Sequence, residues 1–313
     1  MYIILLSIIG GIIALGFGAE MIVRSSVNLA NIYKVSGYFI GFTVVALGTS
    51  LPELAATIQA LSVVDSMEIA LGNIIGSNIA NIGLVLGLTI LFSPIKISNN
   101  IYKIDWPIMM FSALCFLITI LDGIINIYEG GILVCFLVIT ITFLIKHQEK
   151  SEEDIDLEVK PEDSLLKSTI LLFFGGAFLY LGSEWFISGA INLASSFGIS
   201  ERIIGITLVS VGTSIPELVT SLVAVYKKEK GISLGNLLGS NIFNVFAVLG
   251  ITSIVTPLVV GDSIIINFDI YVMLFFAFII LPLIFVPKKF ILGRIEGVIM
   301  LSFYIFYVYN LFV

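Results

Sequence analysis

Long apolar stretches occupy almost the whole of this sequence and leave little room for a water-soluble domain. Each is close to, or longer than, the roughly 20 residues that a helix needs to cross about 30 Å of hydrocarbon. The sequence therefore predicts an all-α polytopic membrane protein with ten transmembrane helices. The ten candidate spans are 2–28, 38–63, 68–92, 104–121, 127–146, 165–195, 202–226, 232–255, 266–286 and 293–312.

The composition agrees with a location in the bilayer. Hydrophobic residues make up 58% of the 313 residues and charged residues only 12%, about half the charged share of a typical soluble domain. Acidic residues are concentrated in 149–163, so the net charge of −7 reflects mainly one short segment. No basic stripe is present, which excludes nucleic acid as a partner. No segment indicates an obligate protein partner.

The distribution of lysine and arginine predicts the orientation in the membrane. With ten spans, every Lys and Arg except Arg202 falls on the side that carries the acidic segment 151–164. Short loops that stay in the cytoplasm carry the excess of positive charge. We therefore expect an integral protein of the plasma membrane, with this acidic linker in the cytoplasm and both termini outside.

Two pairs of sequence runs show that the halves of the chain repeat each other. GFTVVALGTSLPELAAT at 41–57 aligns with GITLVSVGTSIPELVTS at 205–221. GNIIGSNIANIGLVLGLT at 72–89 aligns with GNLLGSNIFNVFAVLGIT at 235–252. Each run occurs once in each half and in the same order, which indicates a duplication.

The duplication predicts three parts of the chain. These are a first five-helix repeat at 1–148, an acidic cytoplasmic linker at 149–164 and a second five-helix repeat at 165–313. Because five is an odd number, the second repeat enters the membrane from the opposite side and is inverted relative to the first. Inverted repeats are typical of secondary transporters, which bind their substrates near the middle of the membrane where the repeats meet.

Each repeat places a proline and then a glutamate inside an apolar span. Pro52 and Pro216 lack an N–H group and clash with the carbonyl four residues earlier, so we expect a helix break with freed carbonyl oxygens. Glu53 and Glu217 follow, at a depth where an ionised carboxylate is costly. Two such glutamates in matching positions favour a cation site over protonated packing residues.

Neutral oxygen atoms accompany both glutamates. Ca²⁺ takes about six to eight oxygen ligands in a flexible arrangement, whereas Mg²⁺ needs a tight octahedron. The pattern therefore predicts an all-oxygen site for hard cations and favours Ca²⁺. The hydroxyl and amide side chains at matching positions are Ser50, Ser77 and Asn81 in the first repeat and Ser214, Ser240 and Asn244 in the second.

These paired motifs resemble the sodium/calcium exchanger family, within the calcium:cation antiporters, over nearly the whole chain. The resemblance is to a short, prokaryotic-type member and implies exchange of Na⁺ for Ca²⁺ by alternating access, with ions bound between the repeats and without a cofactor. Thr49 and Thr213 would then act through their carbonyl groups, and Ala46 and Ser210 match positions of backbone coordination of Na⁺. The full set of implied ion-binding residues is Ala46, Thr49, Ser50, Glu53, Ser77, Asn81, Ser210, Thr213, Ser214, Glu217, Ser240 and Asn244.

Two departures from related branches bear on the driving ion. Asn81 and Asn244 occupy positions at which potassium-dependent relatives carry acids, so K⁺ dependence is not expected. Ser77 and Ser240 occur in runs where proton/calcium exchangers carry a glutamate, which favours Na⁺. A proton-driven calcium exchanger remains the alternative, because two buried carboxylates could also take up protons.

Other functions and residues have weaker support. A passive channel is an alternative because a sequence does not show coupling between ions. An intramembrane hydrolase with Ser50 or Ser214 as nucleophile needs a general base, and the single histidine, His147, lies at a span end, so we do not expect an enzyme. Glu20 and Glu184 are expected to be interfacial or packing residues, with steering of ions as the alternative.

Overall fold

The computed structural model of the chain is almost entirely helical in the part that it describes. The linker residues 149–162 and the start of the seventh predicted span at 202–209, including Arg202, lie outside that part. The described residues are 2–61, 67–147, 163–197, 210–260 and 264–311.

In the first half, several spans are composed of shorter helices that are joined by π-helical segments at Gly41–Val45, Asn81–Leu86 and Ile101–Asp105. The α-helices are α1 (Tyr2–Tyr33), α2 (Gly37–Ile40), α3 (Ala46–Thr49), α4 (Leu51–Leu61), α5 (Met67–Ala80), α6 (Gly87–Phe92), α7 (Trp106–Ile120) and α8 (Ile127–His147). Two short strands, β1 (Ile95–Lys96) and β2 (Ile124–Ile125), lie in the connections.

The second half has the same organisation, with π-helical segments at Asn244–Leu249 and Ile265–Asp269. Its described α-helices are α9 (Leu165–Ser196), α10 (Ser210–Thr213), α11 (Ile215–Tyr226), α12 (Lys230–Phe243), α13 (Gly250–Val255), α14 (Ile270–Phe285) and α15 (Arg294–Asn310). Its strands are β3 (Leu258–Val259) and β4 (Ile291–Leu292).

Within the described residues, eight continuous helical stretches are long and apolar enough to cross a membrane. The shorter helices α11 and α15 complete the ten-helix, all-α architecture that the sequence predicts. The largest boundary difference is in α1, which continues to Tyr33 although its apolar run ends near residue 28. The extension begins with Leu29 and Ala30, which are buried in the same apolar cluster as Ile22. Just before it, Asn28 Nδ2 donates to Ser168 Oγ of α9 at 2.6 Å.

Each of two small antiparallel sheets combines one strand from each half of the chain. β1 pairs with β4, and β2 pairs with β3. The sequence alignment makes β1 the counterpart of β3, and β2 the counterpart of β4, so exchanging the two halves converts one sheet into the other. Glu129 and Glu296 match in the same way, since each accepts a hydrogen bond at 2.8 Å from the backbone N–H three residues earlier. These features are those of two inverted repeats.

Glycines bring α1 and α9 into close contact along their length. A Cβ atom on Gly18 would lie 2.8 Å from the carbonyl oxygen of Gly175, and one on Gly11 would lie 2.8 Å from that of Gly182. Small residues allow this backbone approach between membrane helices, where packing takes over from the hydrophobic effect. The two long helices therefore form one closely packed antiparallel pair.

Helix α12 passes through the interior of the molecule. Every residue of α12 from Ile232 to Phe243 is buried. A Cβ atom on Gly239 would lie 2.3 Å from the carbonyl oxygen of Phe42, and one on Gly235 would lie 2.2 Å from that of Tyr38. These glycines let α12 cross the start of the second span in direct backbone contact, and this crossing positions the polar side chains between the repeats.

We call the side of the molecule with the β1–β4 sheet the linker face and the side with the β2–β3 sheet the terminal face. Basic residues from distant helices meet at the linker face. Arg24 of α1 lies 3.1 Å from the carboxylate of Asp163, which precedes α9. Lys230 at the start of α12 donates to the carbonyl oxygen of Pro94 at 2.8 Å. These contacts agree with the asymmetric distribution of positive charge in the sequence.

The carboxylate of Asp163 connects the start of α9 to α1 through ion pairs with Lys167 and Arg24. Its contribution to the stability of the fold should depend on pH. The hydrogen bond from Lys167 at 2.5 Å, together with Arg24, holds the pKa of this carboxyl below its usual value. A carboxyl whose pKa is lower in the folded state stabilises the protein above its unfolded pKa, near about 3.9, and loses this effect as the pH falls through the folded value. We therefore expect Asp163→Asn to lower the melting temperature at pH 7.

The measurement for Asp163 is thermal unfolding of the purified protein in detergent between neutral and strongly acidic pH. The difference between the native protein and Asp163→Asn should narrow only at acidic pH. Asp122→Asn is the control, because it removes one negative charge from the terminal face and keeps the oxygen that accepts from the Ile124 N–H. A difference that is constant with pH would show that the ionic contacts of Asp163 do not stabilise this junction.

Candidate functional site

The two proline-containing spans break at equivalent serines. Ser50 separates α3 from α4, and Ser214 separates α10 from α11. Both leave helical geometry in the same way, with ψ angles of −1° and 4°. Pro52 and Pro216 then lie in the first turn of the following helix, where a missing N–H group is tolerated. Each repeat therefore presents the ends of two half-helices at the same depth.

Two of the backbone carbonyl oxygens near these breaks accept hydrogen bonds from other residues. The carbonyl oxygen of Gly212 accepts a hydrogen bond of 3.1 Å from Ser183 Oγ. The carbonyl oxygen of Ala46 accepts from the Ser50 N–H at 3.0 Å. A carbonyl oxygen has two lone pairs, so these groups can still accept a further contact, although they are not orphaned.

The two glutamates after the prolines are fully buried at the interface between the repeats. Glu53 and Glu217 are both 0% exposed, and their carboxyl groups are close enough to interact electrostatically. None of their four oxygen atoms makes a hydrogen bond of normal geometry within the described chain, although Thr49 and Ser240 lie beside Glu217. Buried carboxylates without partners are rare and require an explanation such as an ion.

Four further residues from the predicted set contribute polar atoms without partners. The hydroxyls of Ser50 and Ser214 have no hydrogen-bond partner in the described residues. The same is true of the whole amide of Asn81 and of Asn244 Oδ1, while Asn244 Nδ2 donates to Asn78 Oδ1 at 3.1 Å. Asn81 and Asn244 each begin a π-helical segment, a distortion that is frequent at functional sites. Their oxygens are thus available to a ligand.

The threonines of the same motifs use their hydroxyls differently. Thr49 Oγ1 donates to Asn236 Oδ1 at 3.0 Å, and Thr213 Oγ1 donates to Asn73 Oδ1 at 3.0 Å. Both hydrogen bonds cross from one repeat to the other. Because these hydroxyls are engaged, the threonines have their carbonyl oxygens to offer to an ion, as the resemblance implies.

Asn73 and Asn236 are positioning residues that the sequence analysis did not select. Asn73 Nδ2 donates to Thr57 Oγ1 at 3.0 Å, and Asn236 Nδ2 donates to Ser221 Oγ at 3.3 Å. Each amide is therefore oriented by its own repeat and holds a threonine of the other repeat. The available signal was the first asparagine of each Gly-Asn run, which occurs at the same place in both halves.

The remaining predicted residues lie in the same layer. Ser77 Oγ is 3.2 Å from Thr213 Oγ1, and Ser240 Oγ is 3.3 Å from Thr49 Oγ1. Ala46 is fully buried. The backbone of Ser210 begins α10, and its side chain lies outside the described atoms. The structure thus brings the predicted residues of both repeats, with Ser210 represented by its backbone, to one central layer.

A cavity of about 340 Å³ leads toward this layer from the terminal face. Pro52 and Thr213 line its inner end, beside the helix breaks. Gln59 of α4 and Asn192 of α9 line its outer part, near the ends of their helices. The cavity therefore reaches from the terminal face to residues beside the two helix breaks, next to the buried glutamates.

On the linker side, apolar side chains of the described residues pack together where the corresponding route would lie. Ala19, Ile22 and Val23 of α1 belong to one buried apolar cluster against which Val219 and Val223 of α11 pack. A cavity of about 310 Å³ does exist at this face, between Arg24 and Lys227, but none of the candidate ligands lines it. In the described residues, a cavity thus approaches the site from the terminal face and reaches Thr213, whereas apolar packing separates the site from the linker face.

The donor set consists of two carboxylates together with hydroxyl, amide and carbonyl oxygens. Within the described residues, no group of three or more His, Cys, Asp or Glu side chains comes together. Nitrogen and sulfur ligands suit transition metals, whereas neutral oxygens with few carboxylates suit Na⁺ and Ca²⁺. The arrangement therefore fits hard cations that bind and leave.

Comparison with known proteins identifies the family. The profile described as "Sodium/calcium exchanger protein" matches twice, over residues 3–146 and 167–313. The sodium/calcium exchanger MaX1 of Methanosarcina acetivorans is 32% identical over 342 residues, which cover 96% of this chain and 96% of MaX1. Both matches extend over nearly the whole chain.

Solved structures give the same result. The sodium-calcium exchanger NCX_Mj, soaked with zero Na⁺ and Ca²⁺, superposes with a TM-score of 0.82 at 32% identity and covers 99% of each chain. A further structure, of the sodium/calcium exchanger from Methanococcus jannaschii, has a TM-score of 0.79 at 31% identity and covers 98% of each chain. Because this is a family of membrane transporters, the hydrolase alternative is excluded. The chain, an integral membrane protein of ten helices in two inverted repeats, therefore belongs to the sodium/calcium exchanger family.

Proposed function

We propose that this protein exchanges Na⁺ for Ca²⁺ across the membrane by alternating access. The observation that carries the proposal is the pair of fully buried glutamates, Glu53 and Glu217, whose oxygens make no hydrogen bond of normal geometry within the described chain. Two negative charges in a poorly solvated layer require positive charge. One Ca²⁺ or more than one Na⁺ supplies it, and both ions accept the hydroxyl, amide and carbonyl oxygens that surround the carboxylates.

The same two charges explain why transport is coupled. Ca²⁺ and Na⁺ compete for one pair of carboxylates, so binding of one ion displaces the other. A site without ions would have to carry two uncompensated charges through a state that is closed on both sides, which is strongly unfavourable. Only loaded forms then change their access, and this restriction produces exchange in place of free flow.

We assign the ligand roles residue by residue. Glu53 and Glu217 supply charge, and Ser50, Ser77 and Asn81 with their counterparts Ser214, Ser240 and Asn244 supply neutral side-chain oxygens. Thr49, Thr213, Ala46 and Ser210 contribute through backbone carbonyls. The first repeat at 1–148 and the second at 165–313 each provide half of the set, and the acidic linker at 149–164 joins them.

The position of the cavity and of the basic residues bears on the orientation of the protein in the membrane. The described conformation has a cavity from the terminal face and a sealed linker face. Because the basic residues gather at the linker face, we place that face in the cytoplasm and both termini outside the cell, in the plasma membrane. The protein is then poised to exchange ions with the exterior.

Uptake of ⁴⁵Ca²⁺ into proteoliposomes tests the proposal. Vesicles loaded with Na⁺ and diluted into Na⁺-free buffer should accumulate calcium above the external concentration, and vesicles loaded with choline should not. Equilibration without accumulation would instead indicate a passive channel. Uptake that is independent of internal Na⁺ would contradict sodium coupling.

A proton-driven calcium exchanger is the second candidate, because buried carboxylates bind protons as well as metal ions. The same vesicles distinguish the two. A Na⁺ gradient with equal pH on both sides drives uptake only in a sodium-coupled exchanger. An inward-directed calcium flux that needs acidic vesicles and no Na⁺ would favour the proton-driven alternative.

The amides should matter less than the carboxylates. Asn81→Ala and Asn244→Ala each remove one neutral oxygen, which water can replace in a hydrated cavity. We expect calcium affinity to fall by about tenfold at most, the effect of one lost hydrogen-bond-like contact. Calcium titration of the exchange rate measures it. A larger loss than for the glutamate variants would reverse the proposed ranking of ligands.

A further inference from the structure

Glu20 and Glu184 occupy the same position in the two repeats, and the structure places them in opposite situations. They match at the same spacing as Glu53 and Glu217. Because α1 and α9 run antiparallel, Glu20 lies between the ion layer and the linker face, and Glu184 lies between that layer and the terminal face. Each is therefore a carboxylate beside one of the two routes to the site.

Glu184 faces the open route. It lines the cavity on the terminal side together with Tyr180, Ser188 and Asn192. Its one side-chain contact among the described residues is a 3.4 Å hydrogen bond from the Tyr180 hydroxyl. No cation of the described chain pairs with it. A cation that enters the cavity thus meets this carboxylate before it reaches Pro52 and Thr213 at the inner end.

Glu20 lies on the linker side and is paired with a cation. The ammonium group of Lys227, the residue that ends α11, forms an ion pair with Glu20 Oε1. The two side chains are 50% and 31% exposed for Glu20 and Lys227, so the pair lies at the rim of the sealed region. It joins α1 to α11, whose apolar faces close the route to the linker face.

The two repeats differ at the position that supplies the cation. The residue of the first repeat that matches Lys227 is Val63, which carries no charge. Its structure lies outside the described residues, but its side chain cannot pair with Glu184. Arg202, the one basic residue that the sequence places on the terminal side, lies outside the described residues. Among the described residues, a carboxylate of this pair has a basic partner only on the linker side.

We propose that the ion pair between Lys227 and Glu20 is a lock that holds the route to the linker face closed. Glu184, which pairs with no cation of the described chain, attracts incoming cations at the terminal face. The lock favours the state that is open toward the terminal face. An ion that leaves toward the linker face requires α1 and α11 to separate, and Lys227 must then release Glu20. The inference rests on the proposed exchange function for the role of Glu184, whereas the lock itself concerns access alone.

The lock is tested by thiol accessibility in buffers without Na⁺ or Ca²⁺. Cys115 and Cys135 are first replaced by serine. Thr220→Cys then reports on the linker-side route, since Thr220 is fully buried on α11, and Ala56→Cys reports on the terminal-side cavity, which Ala56 lines. A membrane-impermeant thiol reagent is applied to each side of reconstituted vesicles.

Lys227→Gln should raise the rate of labelling at the Thr220→Cys site from the linker side by about two- to fivefold, the effect of one partly exposed ion pair. Labelling at the Ala56→Cys site should fall. Glu20→Gln should act alike, and the double variant should add little, because both residues belong to one pair. Lys289→Gln is the control, since it removes the same charge from an exposed residue of the same face. Equal labelling in Lys227→Gln and Lys289→Gln would overturn the lock.

The access role of Glu184 is tested by exchange kinetics from the terminal side. Glu184→Gln should raise the calcium concentration at half-maximal rate by about threefold at low ionic strength, and added choline chloride should reduce the effect. Glu184→Asp keeps the charge, so its calcium concentration at half-maximal rate should equal that of the native protein. The control Asp122→Asn should also leave this concentration unchanged. An unchanged value in Glu184→Gln would overturn this role. If vesicles show no sodium-driven uptake at all but the labelling change persists, the exchange function fails and the lock stands.

Discussion

Calcium transport should be lost when either buried glutamate is replaced by glutamine. Glu53→Gln and Glu217→Gln keep the shape of the side chain and remove one of two charges that face a divalent ion in a poorly solvated layer. We expect a loss of calcium affinity on the order of 100-fold or more, because charge interactions are strong where solvent screening is weak. Sodium-driven ⁴⁵Ca²⁺ uptake should fall to the level of protein-free vesicles.

The same variants should fold well. Both carboxylates are buried and make no hydrogen bond of normal geometry within the described chain, so removing one charge relieves an unfavourable desolvation in the protein without ions. In buffer without ions, the melting temperature should equal or exceed that of the native protein. The stabilisation that Ca²⁺ gives by binding the folded state should disappear.

Glu129→Gln is the matched control for the glutamate variants. It makes the same chemical change in a carboxylate that accepts a backbone hydrogen bond at the start of α8, and glutamine keeps that acceptor. Transport should be retained in it. Normal calcium uptake by a well-folded Glu53→Gln or Glu217→Gln protein would refute the assignment of these residues as ligands.

A single methyl group added at Gly239 should also strongly reduce exchange activity. A Cβ atom there would lie 2.3 Å from the carbonyl oxygen of Phe42 and 2.7 Å from Cβ of Ala46. Contacts of this length do not occur, so the backbones must separate, and overpacking of this kind destabilises proteins by about 1–3 kcal/mol. Gly239→Ala should therefore lower the melting temperature. If the strain falls on the ligand layer, exchange should fall by about five- to 150-fold, the factors that correspond to about 1–3 kcal/mol.

The functional loss has a local cause. Gly239 precedes Ser240, whose hydroxyl lies 3.3 Å from that of Thr49 across the repeat interface. Moving α12 outward separates the two halves of the ligand set. Gly176→Ala in α9 is the control, because a Cβ atom at that position meets nothing within 4 Å, and alanine favours a helix by up to about 1 kcal/mol. Equal behaviour of the two variants would mean that the crossing tolerates expansion.

The sequence alone predicts the architecture well, because the bilayer limits the possibilities. Apolar stretches of a given length must cross it, and a duplication of an odd number of crossings must be inverted. The positions of Glu53 and Glu217 in matching motifs then predict that both carboxylates meet at the pseudo-two-fold axis. The structure buries both carboxylates close to each other between the repeats, and their role as ion ligands stays a prediction.

The tertiary structure decides which polar atoms are free and which are engaged. Thr49 and Ser50 are adjacent in the same motif, yet the Thr49 hydroxyl is held by Asn236 while the Ser50 hydroxyl has no partner in the described chain. Nothing in the motif distinguishes them, because the partner comes from a helix 187 residues away.

Access to the site is likewise a property of the packed molecule. The motifs are nearly identical in the two repeats, so the sequence predicts two equivalent routes. In the described residues, the cavity that reaches Pro52 lies on the terminal side, whereas apolar side chains of α1 and α11 pack together on the linker side. A site open to both faces at once would form a channel. Lys227 pairs with Glu20 across 207 residues. The sequence thus determined the spans, the inverted repeat and the charged residues, through apolar length and the matching of motifs. Tertiary packing alone decided which oxygens stay without a partner in the described chain and on which side the cavity approaches them.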